Sequence, residues 1–313
     1  MRILIIDDIH EVFLEKLKVA GMEVDYQPTM TLEELLPILE DYEGLVLRSK
    51  IKVTSSIMDQ AKNLKFIARA GAGMDNIDEL YAQSKGIQLL NAPEGNRNAV
   101  GEHMVGMLLS LFNHLHTSHL EIKEGKWLRE ENRGIELRER TIGLIGYGNN
   151  GEAMAKCLSG FGVRILAYDK YKSGFGNEYV IESTLEDIAM YADVLSLHVP
   201  LTPETFEMVN ADFLNSFLKP IYLLNGSRGE VVVLPALVEA LREGKVLGAA
   251  LDVLPIEKFP ALEAQPWFKE ITTHPNVLLT PHVAGWTVES YFKIANVLAD
   301  KIIEQFAFGN RNA

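Results

Sequence analysis

The sequence predicts an α/β protein with two doubly wound domains, each built on a parallel sheet. Short apolar strands alternate with helices through the first ninety residues and again beyond residue 140. Between the two series, residues 91–96 break the alternation and predict a linker. A glycine-rich turn opens the second series and predicts a Rossmann nucleotide-binding domain. The 313 residues, 47% of them hydrophobic, are enough for two cores.

The first series predicts a flavodoxin-like sheet covered by helices on both faces. Its strands are predicted at residues 2–6, 23–26, 44–47, 64–68 and 88–90. Its helices are predicted at residues 11–20, 32–39, 55–61 and 77–85.

A long helix is predicted over residues 100–121. Its apolar side chains recur at helical spacing, which indicates core packing; they are Met104, Met107, Leu108, Leu111 and Leu115.

The second series repeats the strand and helix alternation around the glycine-rich turn. Its first strand is predicted to begin at residue 142 and to end at the glycine-rich turn, and the others are predicted at residues 163–168, 194–197, 221–224, 247–251 and 277–279. Its helices are predicted at residues 149–161, 185–191, 211–217 and 235–243.

The last predicted helix, residues 288–306, has no place in a completed nucleotide domain. We therefore expect it to cross back and cover the first domain. The predicted substrate domain is residues 1–95 plus 285–313, with the nucleotide-binding domain, residues 96–284, inserted into it.

The glycine-rich turn has the G-x-G-x-x-G spacing of a dinucleotide-binding fingerprint. Gly146 permits the tight turn, Gly148 lets a pyrophosphate approach the backbone, and Gly151 allows the helix to pack on the strand. The helix that begins near Asn149 directs its first N–H groups at the phosphates. Asp169, eighteen residues after the last glycine, accepts bonds from the ribose hydroxyls, which predicts NAD rather than NADP. The alternative is a glycine-rich turn in another α/β unit.

Three polar clusters follow predicted strands, at the sheet edge where ligands collect. Arg228, between glycines, suits a carboxylate or carbonyl oxygen. Asp252 and Glu257 come from the next strand, and His282 follows the last one. Histidine exchanges protons near neutral pH, and a carboxylate orients it. Each residue alone could be an ordinary surface charge, but three at neighbouring strand ends favour a catalytic site.

Composition excludes several other classes of protein. The net charge of −13 argues against nucleic acid and anionic membranes as partners. A single cysteine, Cys157, rules out a disulfide framework and is expected to be buried. No metal site is expected. Without a signal peptide or an apolar run of transmembrane length, we expect a cytoplasmic protein.

The chain resembles the D-isomer-specific 2-hydroxyacid dehydrogenase family over nearly its whole length, and most closely the branch that oxidises 3-phosphoglycerate. The resemblance lies in several short motifs. They are Val46-Leu47-Arg48-Ser49, the run from Ala68 through Arg69 and Gly71-Ala72-Gly73 to Asp78, Asn91-Ala92-Pro93, Glu102-His103, Gly125-Lys126-Trp127, and the run from His198 to Thr205 followed by Asn210.

The resemblance implies a role for each matching residue. Arg228 orients the substrate, His282 is the acid/base and Glu257 pairs with it. Further cofactor contacts are implied for Asn149, Asn150, His198, Pro200, Thr205, Asn225, Asp252 and Gly285, with Asp252 near the nicotinamide carboxamide. Substrate contacts are implied for Arg48, Arg69, Gly71, Ala72, Gly73 and Arg129, the last toward a neighbouring subunit's substrate phosphate.

Two departures from the family pattern are visible. Asn150 replaces the usual aliphatic residue before the third fingerprint glycine, which affects packing rather than the phosphate turn. Pro255-Ile256-Glu257-Lys258 replaces a common Glu-Pro ending but keeps the spacing of Glu257 from Asp252. The formate dehydrogenase branch pairs its histidine with glutamine, so Glu257 counts against it.

The resemblance therefore implies an NAD-dependent enzyme that interconverts D-2-hydroxy acids and 2-keto acids. The expected pair is 3-phosphoglycerate and 3-phosphohydroxypyruvate, the first step of serine biosynthesis, in a homodimer formed through residues 100–140. With the chain ending at Ala313, the serine-binding regulatory domains of longer members are expected to be absent. Glyoxylate/hydroxypyruvate reductase is the alternative enzyme. An NAD(H)-sensing corepressor is the alternative of another class. Turnover of NADH with 2-keto acids distinguishes the enzyme from this corepressor.

Overall fold

The computed structural model describes residues 1–307 and divides into two compact units. Unit 1 comprises residues 1–96 and the segment that begins at Trp286, and unit 2 comprises Arg97–Gly285. The assignment of substrate binding to unit 1 and of cofactor binding to unit 2 stays a prediction from the sequence.

The strands of the described chain are short and all pair in parallel. They are β1 Arg2–Ile5, β2 Glu23–Tyr26, β3 Gly44–Leu47, β4 Phe66–Arg69, β5 Gln88–Asn91, β6 Thr141–Ile145, β7 Arg164–Tyr168, β8 Val180–Glu182, β9 Val194–Leu197, β10 Ile221–Asn225, β11 Val246–Leu251 and β12 Val277–Leu279.

The helices of residues 1–307 vary from one turn to five. They are α1 Glu11–Val19, α2 Leu32–Leu35, α3 Ser55–Gln60, α4 Glu79–Ser84, α5 Pro93–Phe112, α6 Leu115–Lys123, α7 Asn149–Leu158, α8 Leu185–Tyr191, α9 Ala211–Asn215, α10 Leu234–Arg242, α11 Phe268–Thr273 and α12 Val288–Phe306. None of these helices combines the length and apolar character needed to cross a bilayer.

The sheet of unit 1 has the order β2-β1-β3-β4-β5 with every pair parallel, which is the flavodoxin-like arrangement. On one face, α12 covers the sheet and packs beside α1. Ile294, Leu298 and Ile302 of α12 join Phe13 and Leu17 in one buried cluster. Full burial of each such side chain contributes about 1.5–3 kcal/mol, so α12 is an integral part of the core of unit 1.

The sheet of unit 2 has the order β12-β11-β10-β9-β6-β7-β8 and is also parallel throughout. The chain order reverses between β6 and β9, because the strands run outward from that pair to both edges. In a doubly wound sheet, such a reversal leaves a crevice at the carboxyl ends of the strands, where ligands bind. The α/β class with two parallel doubly wound sheets is thus confirmed.

The predicted linker at residues 91–96 is wrong, because a helix begins there. Pro93 is the first residue of α5, a position where a missing N–H has no cost. Gly95 lies against α12, and a Cβ on it would be 2.6 Å from the Cα of Ile294. The proline and the glycine therefore serve a helix start and a close approach between helices rather than a linker.

The continuous helix predicted over residues 100–121 is also wrong. It breaks at Asn113 and His114, where His114 takes a left-handed conformation with φ 52°. Met104, Met107, Leu108 and Leu111 before the break are buried, as the spacing predicted. Leu115 follows the break and is 56% exposed, so it does not belong to the core.

Smaller differences have local causes. The helix predicted at 32–39 tightens into a 3₁₀ helix over Leu36–Asp41, where Pro37 cannot donate to the preceding turn. The sequence did not predict β8 or α11, which are three and six residues long. Cys157 is half-buried instead of buried.

Candidate active site

The turn between β6 and α7 has the backbone geometry that its glycines predict. Gly146 has φ 92°, and a Cβ there would lie 2.6 Å from the carbonyl oxygen of His198. A Cβ on Gly151 would overlap the carbonyl oxygen of Gly146. Any side chain at either position would force β6, α7 and the end of β9 apart.

Gly148 differs from these two glycines, because among residues 1–307, its two chain neighbours apart, no atom lies within 4 Å of the Cβ it lacks. The space beside it faces the start of α7, whose N-cap residue is Gly148. Helix N-termini direct backbone N–H groups and a partial positive charge at bound anions. The turn therefore fits a dinucleotide pyrophosphate in a space that a side chain would fill.

Asp169 follows β7 and is held by three backbone amides. Its Oδ2 accepts from the N–H of Tyr147 at 2.8 Å, which ties the carboxylate to the glycine-rich turn. Its Oδ1 accepts from the N–H groups of Tyr171 at 3.0 Å and Lys172 at 3.1 Å. A carboxylate has about four acceptor sites, so these three bonds fix the group and leave about one site for a ribose hydroxyl.

His198 lies beneath the same turn, where Nε2 is 2.9 Å from Ser196 Oγ and 3.2 Å from Met154 Sδ. Burial lowers the pKa of His198 to about 4, so its imidazole is neutral at pH 7. Its Nδ1 and the Oδ1 of Asn150 are buried without a hydrogen-bond partner among the described residues. Both atoms can pair with a bound dinucleotide or with water.

Pro200 and Thr205, also expected to contact the cofactor, bracket a tight loop after β9. The hydroxyl of Thr205 donates to the Pro200 carbonyl at 2.6 Å and accepts from the N–H of Thr202 at 2.8 Å. The loop is therefore ordered by its own hydrogen bonds.

The turn after β10 presents Arg228. Asn225 is 1% exposed, and its side chain donates to the carbonyl of Arg228 at 2.9 Å and accepts from the N–H of Ser227 at 3.0 Å. Gly229 follows, and a Cβ there would overlap the backbone of Leu254. Asn225 was expected to contact the cofactor, but its amide shapes the turn that carries Arg228.

His282 and Glu257 are brought together, with His282 Nδ1 3.0 Å from Glu257 Oε2. This hydrogen bond raises the pKa of His282, while burial and the nearby positive charge of Arg228 lower it. The net direction is upward. The loops after three strands thus bring a histidine, its carboxylate partner and an arginine to one place in unit 2.

The backbone of His282 is in the left-handed region, with φ 54°. Its N–H donates to the carbonyl of Asp252 at 2.7 Å. The buried Asp252 carboxylate accepts from the N–H groups of Val283 and Ala284, each at 2.9 Å. Asp252 therefore stabilises the backbone around His282. A non-glycine residue takes this left-handed conformation only where its surroundings impose it.

Two residues that the sequence analysis did not assign complete this support. Thr280 Oγ1 donates to Asp252 Oδ1 at 2.5 Å and lies 3.1 Å from His103 Nε2. Thr280 lies two residues before His282, and this closeness in sequence is the one feature that could have pointed to Thr280. His103 comes from α5, far away in sequence; it belongs to the Glu102-His103 motif of the family resemblance, to which no role was assigned.

Unit 1 places its expected substrate residues at the ends of β3 and β4. Arg69 Nε donates to the Arg48 carbonyl at 3.2 Å, and a Cβ on Gly71 would overlap the Arg69 guanidinium. The carbonyl of Ala72 accepts from Asn91 Nδ2 at 2.6 Å. These bonds hold the loop of Gly71, Ala72 and Gly73 against the two arginines.

Arg129 lies in unit 2, in a groove of about 380 Å³ beside Trp127, Leu128 and Asn132. Gly285 ends unit 2, directly after the segment that Asp252 holds. Within residues 1–307, no group of three or more His, Cys, Asp or Glu side chains could hold a metal ion.

A family model for the D-isomer specific 2-hydroxyacid dehydrogenase NAD binding domain matches residues 105–284. That match covers most of unit 2, including the glycine-rich turn, Asp169, Arg228, Glu257 and His282.

Two relatives differ in the activity they are named for. A D-3-phosphoglycerate dehydrogenase of Archaeoglobus fulgidus is 35% identical over 305 residues, 97% of this chain, which spans only 57% of that relative's length. A hydroxypyruvate reductase of Thermotoga maritima is 37% identical over 275 residues, 87% of this chain and 88% of that protein. Among solved structures, Aquifex aeolicus D-lactate dehydrogenase complexed with NAD and lactic acid has a TM-score of 0.84 at 28% identity, covering 99% of this chain and 96% of that one.

Proposed function

The chain belongs to the D-isomer specific 2-hydroxyacid dehydrogenase family, and we propose that it interconverts a D-2-hydroxy acid and the matching 2-keto acid with NAD. The expected family and its NAD-binding domain are confirmed. The substrate and the roles of single residues belong to this proposal.

One observation carries the proposal: His282 is paired with Glu257 at 3.0 Å on the strand edge that also presents Arg228. An imidazole oriented by a carboxylate is suited to general acid and base catalysis near neutral pH. When bound, NAD supplies the hydride acceptor for oxidation and its reduced form supplies the donor. The protein has to supply proton transfer, orientation and charge.

In oxidation, neutral His282 takes the hydroxyl proton through Nε2, since Nδ1 is bonded to Glu257. In reduction, the charged imidazole returns that proton to the carbonyl oxygen. Arg228 orients this oxygen and the carboxylate through its planar guanidinium. Glu257 fixes the ring and stabilises the imidazolium.

The residues that would hold the cofactor fit a dinucleotide. Gly146, Gly148 and Gly151 leave space for the pyrophosphate at the start of α7, and Asp169 offers a carboxylate to the ribose. Negative charge at the ribose disfavours a 2′-phosphate, so we propose preference for NAD over NADP.

For the substrate, we propose that the backbone amides of Gly71, Ala72 and Gly73 bind the carboxylate. Arg48 and Arg69 supply positive charge at the other end. Arg129 is proposed to reach the substrate phosphate of a second subunit.

The proposed pair is 3-phosphoglycerate and 3-phosphohydroxypyruvate, the first step of serine biosynthesis. The arginines support it, because one arginine cannot pair with both the carboxylate and the phosphate at the two ends of a short substrate. The similarity to Archaeoglobus fulgidus D-3-phosphoglycerate dehydrogenase supports it as well. The second candidate is hydroxypyruvate reduction, which the similarity to the Thermotoga maritima reductase favours.

A panel of 2-keto acids tests the function and separates these candidates. We compare kcat/KM with NADH for 3-phosphohydroxypyruvate, hydroxypyruvate, glyoxylate and 2-oxoglutarate. The highest value with 3-phosphohydroxypyruvate is expected, and a preference for hydroxypyruvate or glyoxylate would support the second candidate. NADH binding without turnover of any 2-keto acid would argue against an enzyme of this class.

We also propose a homodimer formed through residues 100–140. The exposed apolar side chains of this segment support it; they are Leu115 (56%), Leu120 (55%), Ile122 (51%) and Trp127 (83%). Light scattering of the purified chain measures its mass, and a monomer at micromolar concentration would contradict the dimer. The expected cytoplasmic location stays a prediction.

A further inference from the structure

Two of the three residues directly after Asp169 are lysines. Their positive charges would attract the 2′-phosphate that Asp169 is proposed to repel. The three residues are Lys170, Tyr171 and Lys172, and together with Glu204 they form what we call the Glu204 cluster. All four residues belong to unit 2, at the end of β7 and in the loop after β9. A lysine beside the ribose is the kind of residue that attracts a 2′-phosphate.

Glu204 engages the first two of these residues through its two carboxylate oxygens. Its Oε1 lies 2.7 Å from Lys170 Nζ, and its Oε2 accepts from the Tyr171 hydroxyl at 2.6 Å. These contacts hold the pKa of Glu204 below its usual value, so the carboxylate is charged at neutral pH. Both oxygens are therefore committed to the segment that follows Asp169.

The position of Glu204 is set by the loop that carries it. The hydroxyl of the next residue, Thr205, bonds to the Pro200 carbonyl at 2.6 Å and to the Thr202 N–H at 2.8 Å. The N–H of Thr205 also donates to the Thr202 carbonyl at 3.1 Å. The backbone that carries Glu204 is thus a closed turn, which places its side chain within reach of Lys170.

Lys172 is held in a different way. Its Nζ donates to the carbonyl of Tyr147 at 3.1 Å, and its N–H donates to Asp169 Oδ1. Each lysine therefore has an acceptor within the protein. The formal charges of Lys170 and Lys172 are balanced by those of Asp169 and Glu204, so no net positive charge is left for a phosphate.

We propose that Glu204 is a second determinant of cofactor choice: it engages Lys170 and Tyr171 and adds a negative charge, so that the lysines after Asp169 do not recruit a 2′-phosphorylated dinucleotide. This inference rests on the proposed binding of NAD by unit 2. Without Glu204, Lys170 is released, and Asp169, Lys170 and Lys172 together carry one net positive charge. A phosphate of charge about −2 would then find a partner one residue from Asp169.

Direct binding tests the proposal without relying on turnover. Isothermal titration calorimetry gives Kd for NADH and for NADPH, and their ratio is the quantity of interest. Glu204→Gln should lower the Kd of NADPH relative to that of NADH by about two- to fivefold, the effect of one exposed charge pair. Adding Lys170→Ala to Glu204→Gln should abolish most of that change.

Glu239→Gln is the matched control, because Glu239 is an exposed carboxylate on α10 that pairs with Arg242 at 3.1 Å. It removes the same charge from the same unit and should leave the ratio unchanged. An unchanged ratio in Glu204→Gln, or an equal change in Glu239→Gln, would overturn the proposal. So would a change that survives Lys170→Ala.

The same titrations separate this inference from its premise. Tight NADH binding by the unmodified chain, with no response to Glu204→Gln, contradicts only the role of Glu204. No binding of either dinucleotide contradicts the proposed function and removes the basis for the inference as well.

Discussion

The guanidinium carbon of Arg48 lies 4.0 Å from the ring centre of Trp286. The indole in turn meets the edge of Tyr291, whose hydroxyl donates to Asp8 at 2.7 Å. A cation over an aromatic face is attracted by the electrons of the ring. This contact therefore favours one orientation of the Arg48 side chain on unit 1.

If Arg48 binds the phosphate of the substrate, Trp286→Leu should weaken the binding of 3-phosphohydroxypyruvate more than the binding of hydroxypyruvate. An exposed cation–π contact contributes about 0.5–1 kcal/mol, so KM should rise about two- to fivefold with kcat nearly unchanged. Tyr291→Phe keeps both rings and should change KM less. Equal changes in KM for the two substrates would show that Arg48 does not contact the phosphate.

Glu257→Gln should shift both pH profiles of the enzyme to lower pH. The hydrogen bond to Glu257 raises the pKa of His282, and a neutral partner removes that effect. Oxidation needs neutral His282, so its rise with pH should begin at lower pH; reduction needs charged His282, so its decline should begin at lower pH. The measurement is kcat/KM against pH in both directions, and coincident profiles would show that the pair does not control the proton.

His282→Ala should lower kcat by about 10²- to 10⁴-fold, the usual effect of losing a positioned acid or base. NADH binding should stay nearly intact, because the cofactor is assigned to the glycine-rich turn. His274→Ala, which changes a histidine of unit 2 outside both the proposed active site and residues 100–140, is the control and should leave kcat unchanged. A loss of less than tenfold would remove His282 from the chemistry.

Arg129→Ala should raise KM for 3-phosphohydroxypyruvate by about ten- to a hundredfold, since one charge-assisted hydrogen bond contributes roughly 1.5–3 kcal/mol. Hydroxypyruvate has no phosphate and should be much less affected. Arg133 is a suitable control, because it is exposed nearby and already pairs with Glu130. Should both substrates suffer equally, Arg129 does not contact the phosphate.

Asp169→Ala should weaken NADH binding by about ten- to a hundredfold and narrow the preference over NADPH, because it removes both the ribose acceptors and the repulsion of a 2′-phosphate. Asp169→Asn keeps one acceptor oxygen and should bind NADH better than Asp169→Ala. Calorimetry gives both dissociation constants. Equal affinity of the unmodified chain for NADH and NADPH would refute the assignment.

Much of the fold was predictable because short apolar strands and amphipathic helices leave periodic patterns. The fingerprint was predictable for a different reason: its glycines are required by backbone geometry, as the clash at Gly151 and the left-handed φ at Gly146 show. The linker predicted around Pro93 and Gly95 was wrong because proline and glycine, which break helices, can also start a helix or let two helices touch. Local sequence does not distinguish these uses.

The pairing of His282 with Glu257 was anticipated from the family resemblance, whereas the support beneath it was not. Asp252 was expected near the cofactor, yet its carboxylate holds the backbone that follows His282. Thr280 and His103 join it through side-chain contacts. Such contacts depend on the three-dimensional arrangement of α5, β11 and β12, and residue spacing along the chain does not encode them.

The packing of α12 against α1 also governs the order in which a ribosome can complete the two units. Phe13 and Leu17 leave the ribosome early, but Ile294, Leu298 and Ile302 emerge only after the whole of Arg97–Gly285. At 5–20 residues per second, those roughly 190 residues take about 10–40 seconds to synthesise. During that interval, the side of unit 1 that α12 will cover is open to a chaperone or to aggregation, while unit 2 is still being synthesised.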